Sequence, residues 1–122
     1  MADQFSTALD IASIARNAIE LASDKQAQNI VLLDVKDISS FTDYMIMLSG
    51  SSTRQVQSLG NDIAEKIKKD GLRLHHQEGS SNSGWVLLDF GDIVVNVFSE
   101  EQRNFYKLEE VWRTGRELIR IQ

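Results

Sequence analysis

Residues 84–98 read GWVLLDFGDIVVNVF, and they contain two apolar runs separated by Gly91 and Asp92. Valine, isoleucine, leucine and aromatic side chains suit a pleated strand, and a Gly-Asp loop lets Gly91 adopt the positive φ angle that primed turns require. The pattern therefore predicts a β-hairpin. If Phe90 lies opposite Ile93, the remaining cross-strand pairs are Asp89 with Val94, Leu88 with Val95, Leu87 with Asn96, Val86 with Val97 and Trp85 with Phe98.

The two faces of this hairpin differ in chemistry, because successive strand residues point to opposite sides. One face is entirely apolar and is predicted to be core: Val86, Leu88, Phe90, Ile93, Val95 and Val97. The other carries Trp85, Leu87, Asp89, Val94, Asn96 and Phe98. Because burying an unpaired carboxylate costs several kcal/mol, this second face either is covered by an element that satisfies its polar groups or binds a partner.

Composition narrows the class of protein. With 122 residues, 42% hydrophobic and 25% charged, the chain is predicted to form one globular domain. It contains no cysteine, which excludes disulfides, thiolate catalysis and cysteine-ligated zinc. No stretch approaches the ~20 apolar residues of a membrane span, and no signal or transit pattern is evident, so we expect a bacterial cytoplasmic protein that does not bind membranes.

The charge balance bears on the kind of partner. The formal net charge is -5 and the pI is about 4.9. Binding to DNA, or to any partner held mainly through phosphates, requires clustered lysine and arginine. A basic protein surface is therefore the better candidate.

The spacing of apolar residues predicts the remaining helices and strands of the chain. The patterns predict a helix at 7–23, strands at 29–35, 42–48 and 72–78, a helix that begins after Ser52 and ends at Gly71, a loop at 79–84, and a helix that begins after Ser99. Ser52 with Gln55, and Ser99 with Gln102, have the spacing of N-terminal capping pairs. In the last helix a shared face is expected for Phe105, Leu108, Val111 and Trp112.

The resulting order is α-β-β-α-β-β-β-α, which predicts an α/β fold with a mixed five-stranded sheet and flanking helices. We place the domain at residues 1–113 and a C-terminal tail at 114–122. The tail is expected to fray, although Leu118, Ile119 and Ile121 could dock on the domain.

Enzymatic chemistry finds little support in the sequence. The serine-rich loop at 49–52 precedes a helix N-terminus, where anions bind, but it lacks a P-loop pattern and is explained by a capped turn. His75 and His76 point to opposite faces of a predicted strand, so they cannot readily share a metal. Asp89 and Asp92 suggest a two-carboxylate centre for nucleotidyl transfer, but no third carboxylate follows at a convincing spacing. We predict no catalytic residue, metal site or cofactor.

Trp85 and Phe98 form a predicted aromatic patch beside Asp89. A tryptophan next to an acid is a frequent composition of interface hot spots. The same patch is equally compatible with a tryptophan covered by the terminal helix. The sequence leaves both alternatives open.

Four segments resemble the ribosomal silencing factor RsfS, or Iojap-like, family. They are DVKDISSFTDYMIMLSGSSTRQV from Asp34, the pair Glu78-Gly79, GWVLLDFGDIVVNVF from Gly84, and RNFYKLEEVW ending at Trp112. The resemblance runs from about Ala12 to Trp112. It implies an α/β fold with a mixed five-stranded sheet, similar to a nucleotidyltransferase core but without that activity.

The resemblance also implies a function. Members of the family bind the large ribosomal subunit through the ribosomal protein numbered fourteen, on the face that meets the small subunit. They thereby block subunit joining and repress translation when nutrients are scarce, and they can form dimers off the ribosome. Two alternatives stay open: a nucleotidyltransferase-type enzyme, suggested by the serine-rich loop together with Asp89 and Asp92, and an assembly factor for the large subunit that would use the same surface.

The matching positions imply which residues bind the ribosomal protein. Trp85 is expected to be an apolar anchor, and Asp89 and Asp92 are expected to pair with basic groups. The surface is further expected to include Phe90, Gly91, Tyr44, Ser49 and Gly50. One departure is visible, because Asn96 stands where many members have histidine, which makes a pH-sensitive role at that position doubtful.

Overall fold

The computed structural model describes residues 9–122. Its elements are α1 (Ile11–Asp24), β1 (Gln28–Asp34), β2 (Tyr44–Gly50), α2 (Thr53–Lys69), β3 (His76–Ser80), β4 (Trp85–Asp89), β5 (Ile93–Ser99), α3 (Glu100–Tyr106), α4 (Leu108–Val111) and β6 (Arg116–Ile121). Within residues 9–122 no helix has both the length and the apolar character needed to cross a membrane.

The strands form one mixed sheet in the order β3-β4-β5-β2-β1-β6. Strands β2 and β5 are parallel, and all other neighbours are antiparallel. The predicted α/β class and mixed sheet are confirmed, but the sheet has six strands rather than five. The additional strand comes from the segment that was expected to fray.

The hairpin has the predicted register at every position. Trp85 pairs with Phe98, Asp89 pairs with Val94, and the three pairs between them follow in order. The Phe90 N–H donates to the Ile93 carbonyl at 2.8 Å and closes the turn. All six side chains of the predicted core face are buried.

Apolar residues fill both sides of the sheet. On one side, which we call the helical-side core, α1 and α2 cover residues that include Leu32, Ile46, Val95 and Val97. On the other side, which we call the second-face core, Leu108 and Trp112 from the α4 region lie over a cluster of Val31, Leu33, Val35, Met45, Met47, Val94 and Phe98. The sheet is therefore packed on both faces, as expected for strands with near-continuous apolar runs.

Helix α2 begins at Thr53, directly after the predicted N-cap residue Ser52. The Ser52 hydroxyl accepts a hydrogen bond from the Gln55 N–H at 3.0 Å, while the Gln55 side-chain oxygen accepts from the Ser51 N–H. The reciprocal bond thus involves Ser51 rather than the cap residue itself. The predicted apolar face of Val56, Leu59, Ile63 and Ile67 is buried.

Several predicted boundaries were wrong. Ser49 and Gly50 do not break β2 but belong to it, because they continue the parallel pairing as far as Ser99. Strand β3 lies at His76–Ser80 instead of 72–78, since Leu72 and Leu74 pack on the helical-side core before the strand begins. Helix α1 begins at Ile11; the predicted start at residue 7 lies outside the described residues.

The predicted continuous terminal helix is also wrong. Lys107 adopts a left-handed conformation, with φ of 50°, and separates α3 from α4. The break changes the direction of the side chains that follow. Leu108 and Trp112 pack on the second-face core, whereas Phe105 is 73% exposed and Val111 is 68% exposed.

The C-terminal segment forms β6 along β1 instead of fraying. Its pairing runs from Ile30 opposite Ile121 to Asp34 opposite Arg116, with a bulge between Leu32 and Leu33. Leu118 and Ile119 pack against the helical-side core, as the docking alternative required. Pairing with β6 satisfies the backbone groups along β1 that would otherwise form an open sheet edge.

Candidate binding surface

The eight residues proposed from sequence lie at two ends of the sheet. Because β4 runs against β5 and β2 runs with it, Trp85 and Ser49 both pair with Phe98, while Tyr44 pairs with Ile93. We call the first group the tryptophan end: Trp85, Ser49 and Gly50. We call the second group the aspartate end: Tyr44, Asp89, Phe90, Gly91 and Asp92.

Trp85 is held in a fixed orientation at the tryptophan end. Its ring lies 5.0 Å from that of Phe98 and 4.7 Å from that of Tyr106, measured between centroids. Its indole N–H donates to the Asn96 side-chain oxygen at 3.0 Å. The indole therefore keeps its polar atom satisfied while part of its surface stays accessible, which suits an interface anchor.

A cavity of about 200 Å³ adjoins this tryptophan. It is lined by Glu78, Gly79, Ser83, Leu87 and Tyr106 in addition to Trp85. Its walls combine aromatic and aliphatic surface with one carboxylate. An apolar side chain with a neighbouring basic group would match both features.

The second face of the hairpin is partly covered and partly accessible. Asn96 and Phe98 are buried, and the Asn96 amide group approaches the Met45 sulfur at 3.0 Å. Trp85, Leu87 and Asp89 remain half-buried. One part of this face is therefore covered, as the first alternative from the sequence requires, and the other part remains accessible.

The aspartate end is organised by backbone hydrogen bonds. The Asp89 carboxylate accepts from the Gly91 N–H at 2.8 Å and thereby caps the turn. The Asp92 carbonyl accepts from the N–H groups of Asp43 and Tyr44 at 3.2 and 3.1 Å. Asp92 is exposed and Asp89 half-buried, so of these two residues Asp92 presents the more accessible carboxylate.

Four of the proposed contact residues are buried. Phe90 is 1% exposed because its ring is part of the helical-side core, and Ser49 is 0% exposed. Gly50 is buried beneath α2, where an added Cβ would lie 3.0 Å from a Val56 methyl group. Tyr44 is also buried, with its hydroxyl oxygen accepting from the Lys36 ammonium at 3.2 Å. These four residues therefore offer a partner little accessible surface.

Sequence reasoning missed a buried arginine beneath the tryptophan end. Arg103 donates from Nη1 to the Ser49 hydroxyl at 2.9 Å and to the Asn29 carbonyl, and from Nε to Glu109 at 2.9 Å. Its Nη2 is the one buried side-chain nitrogen or oxygen among residues 9–122 without a hydrogen-bond partner. Arginine is seldom fully buried, so only the position of Arg103 one turn before Tyr106 could have indicated its role.

The ion pair of Arg103 affects its acidic partner. The hydrogen bond from the guanidinium holds the pKa of Glu109 below its ordinary value, against the opposing effect of burial. Glu109 is therefore ionised at neutral pH. The ion pair between Arg103 and Glu109 connects α3 to α4 across the break at Lys107.

The histidines and carboxylates predicted to be candidates for metal binding or nucleotidyl transfer make other contacts in the structure. His76 lies 2.7 Å from Glu78, and the His75 ring lies near Gly91. No group of three or more potential ligands is close enough to hold a metal ion in this part of the chain. The carboxylate of Asp89 is used to cap the turn, which offers no support for a nucleotidyl-transfer centre.

The comparisons with known proteins agree with this fold. The family model described as "Ribosomal silencing factor during starvation", RsfS, matches residues 8–122. A Bacillus subtilis ribosomal silencing factor RsfS is 37% identical over 100 residues, which covers 82% of this chain and 85% of the relative. The relatives that carry this name are named for ribosome silencing, a regulatory role, rather than for a catalysed reaction.

Two further matches extend the comparison. A crystal structure of a Chromobacterium violaceum protein superposes with a TM-score of 0.80 at 36% identity and covers 85% of this chain and 87% of that one. A more distant mouse relative, named "Mitochondrial assembly of ribosomal large subunit protein 1", is 28% identical over 97 residues, covering 77% of this chain and 42% of the relative. The chain belongs to the ribosomal silencing factor (RsfS) family, with Iojap proteins among its relatives.

Proposed function

We propose that this protein is a non-enzymatic translational repressor that binds the large ribosomal subunit where it meets the small subunit, and blocks their joining by steric exclusion. The observation that carries the proposal is the family match, which spans residues 8–122 and so includes both ends of the candidate surface. The proposed setting is the bacterial cytoplasm under nutrient limitation.

The geometry of the accessible residues supports a partner that is both apolar and basic. Trp85 offers a rigid aromatic surface beside a cavity, and Asp92 offers an exposed carboxylate. Apolar anchors supply most of the affinity of such interfaces, while rim charges mainly guide association and each contribute about 0.2–1 kcal/mol. The proposed partner is the large-subunit ribosomal protein numbered fourteen, with a homodimer as the state off the ribosome.

A role in large-subunit assembly is the second candidate. It is favoured by the printed name of the mouse relative, which refers to assembly of the mitochondrial large subunit. Both functions use the same surface but differ in their cellular result. Loss of an assembly factor yields defective large subunits, whereas loss of a silencing factor yields normal subunits that keep joining under starvation.

Direct binding to purified subunits tests the proposal. We expect the full chain to co-sediment with large subunits and not with small subunits. Trp85→Ala should weaken the interaction by about thirtyfold or more, the effect of removing a hot-spot aromatic residue. Leu9→Ala is a matched control, because Leu9 is an exposed apolar residue next to Gly71 on the side of α1 and α2. Equal binding by wild type and Trp85→Ala would remove the tryptophan end from the proposed interface.

A further inference from the structure

A second aromatic cluster lies on the same side of the sheet as Trp85 and is formed by residues outside the hairpin. Phe41, in the loop between β1 and β2, packs edge to face on Trp112 with the ring centroids 5.8 Å apart. Trp112 packs on the second-face core, but Phe41 is 61% exposed. A large aromatic side chain with this exposure, resting on a second aromatic ring, forms an apolar surface with no covering element in residues 9–122.

The loop holds Phe41 in place. The Ser39 hydroxyl accepts hydrogen bonds from the N–H groups of Phe41 and Thr42 at 3.2 and 3.1 Å. Two residues later, the Asp43 N–H donates to the Asp92 carbonyl. Phe41 is therefore connected through the backbone to the aspartate end, and it needs little further ordering to bind a partner.

The charges around Phe41 indicate the chemistry of that partner. Asp37 is exposed and Asp43 is half-buried, and both lie within four residues of Phe41. Two of the nearby cations are paired within the chain, because Lys36 contacts the Tyr44 hydroxyl and Asp34, and Arg116 contacts Asp34. Arg113, which follows Trp112, is exposed. An aromatic surface bordered by carboxylates is complementary to an apolar side chain flanked by lysine or arginine.

The distance between the two aromatic clusters suits one interface. Strands β4 and β1 are three strand spacings apart, which is about 14 Å, and about 13 Å separate Trp85 from the aspartate end along β4. Taking the Phe41–Trp112 pair to lie over β1 at the aspartate end places the two clusters about 20 Å apart. A protein partner that buries about 800 Å² on each side covers a patch roughly 30 Å across, which is wide enough to reach both.

We propose that the Phe41–Trp112 pair is a second aromatic anchor for the same basic ribosomal-protein partner, which binds across the face that carries Trp85, Asp92 and Phe41. The inference rests on the proposed function, because the ribosomal-protein partner is the one proposed there. Phe105 and Val111, in α3 and α4, are also exposed, and the Phe105 ring packs against that of Tyr106. The docking surface thus extends well beyond the hairpin.

The test measures the affinity of the labelled full chain for purified large subunits in Phe41→Ala, Trp85→Ala and the control Leu9→Ala. Phe41 is the residue to change, because replacing Trp112 would also disturb the second-face core. We expect Phe41→Ala to raise the Kd about tenfold or more, Trp85→Ala to raise it about thirtyfold or more, and Leu9→Ala to leave it unchanged within about twofold. Thermal unfolding of each variant checks that the fold is retained.

The outcomes separate this inference from the proposed function. If Trp85→Ala weakens binding while Phe41→Ala binds as tightly as wild type, the second anchor is wrong and the proposed function stands. If the wild-type chain does not bind large subunits, both are wrong. A loss of affinity in Leu9→Ala as large as that in Phe41→Ala would also overturn the second anchor, because the effect would then not depend on this face.

A charge reversal gives an independent check. Asp37→Lys should raise the Kd several-fold and make binding less sensitive to salt, because it removes an attraction and adds a repulsion near the basic partner. Asp24→Lys is the matched control, since Asp24 is an exposed carboxylate at the end of α1. Equal effects of the two reversals would show that only net charge matters and would contradict the proposed location.

Discussion

Arg103 donates a hydrogen bond to the Ser49 hydroxyl at 2.9 Å, although the two residues are 54 positions apart in the sequence. This bond joins α3 to the end of β2. Tyr106, which packs on Trp85, lies one helical turn after Arg103. The buried Arg103 guanidinium therefore fixes the position of α3, whose Tyr106 covers one side of Trp85.

Replacing Arg103 is expected to destabilise this arrangement. Arg103→Ala removes three hydrogen-bonded contacts and leaves the Ser49 hydroxyl and the Asn29 carbonyl without their donor. We predict a loss of about 2–3 kcal/mol in the free energy of unfolding, measured by urea denaturation. Arg54→Ala, at an exposed arginine of α2, should have an effect within about 0.5 kcal/mol. If Arg103→Ala lowers the free energy of unfolding no more than Arg54→Ala does, Arg103 does not hold α3 in place.

The ion pair also predicts a pH dependence. The pKa of Glu109 is lowered in the folded protein from its ordinary value of 4.5, so its carboxylate stabilises the fold above pH 4.5. That contribution is lost as the pH falls through 4.5 and then through the lower folded value. Wild type should therefore be more stable than Glu109→Gln at pH 7, and the difference should shrink on acidification. A difference that is constant from pH 7 to pH 3 would contradict the role of the charge.

Asn96 is predicted to orient Trp85. In Asn96→Leu the indole N–H loses its acceptor, and we expect a loss of about 1–2 kcal/mol in stability and weaker binding to large subunits. Asn82→Ala, in the exposed loop before β4, serves as the control. Normal stability and binding in Asn96→Leu would show that Phe98 and Tyr106 alone are sufficient to place the ring.

Gly79 is predicted to be required for pairing between β3 and β4. Its φ is +80°, and an added Cβ would lie 2.0 Å from the Trp85 carbonyl oxygen, so Gly79→Ala must displace one of the two strands. We expect a loss of at least about 2 kcal/mol in the free energy of unfolding. Gly91→Asn makes a useful comparison, because asparagine tolerates a positive φ and the nearby group is the movable His75 ring. If both variants were equally stable, the close backbone approach at Gly79 would not matter.

The hairpin could be predicted residue by residue because its alternation and its short turn together leave one register. The α2 cap followed from local chemistry in the same way. Strand β6 could not be predicted, because half of its residues are polar and its partner, β1, is more than eighty residues earlier in the chain. Its position depends on a sheet edge that only tertiary structure creates.

The candidate site could be predicted only in part. Trp85 and Asp92 are accessible, as an interface requires, but the resemblance that suggested Phe90 and Ser49 carries no information on burial. Tyr106 was missed because the helix was expected to continue, and the left-handed Lys107 changes which side chains face the sheet. A non-glycine residue in this conformation is uncommon and leaves no clear pattern in the sequence.

Subunit joining tests the central claim most directly. Purified subunits are mixed under conditions in which they associate, with wild type or with a Trp85→Ala/Asp92→Lys double variant, and separated on a sucrose gradient. Asp92 is preferred to Asp89 for the charge reversal, because Asp89 also caps the turn. We predict that wild type travels with the large subunit and reduces the joined peak, while the variant leaves that peak intact. A joined peak that is unchanged by wild type, or reduced equally by the folded variant, would contradict the account.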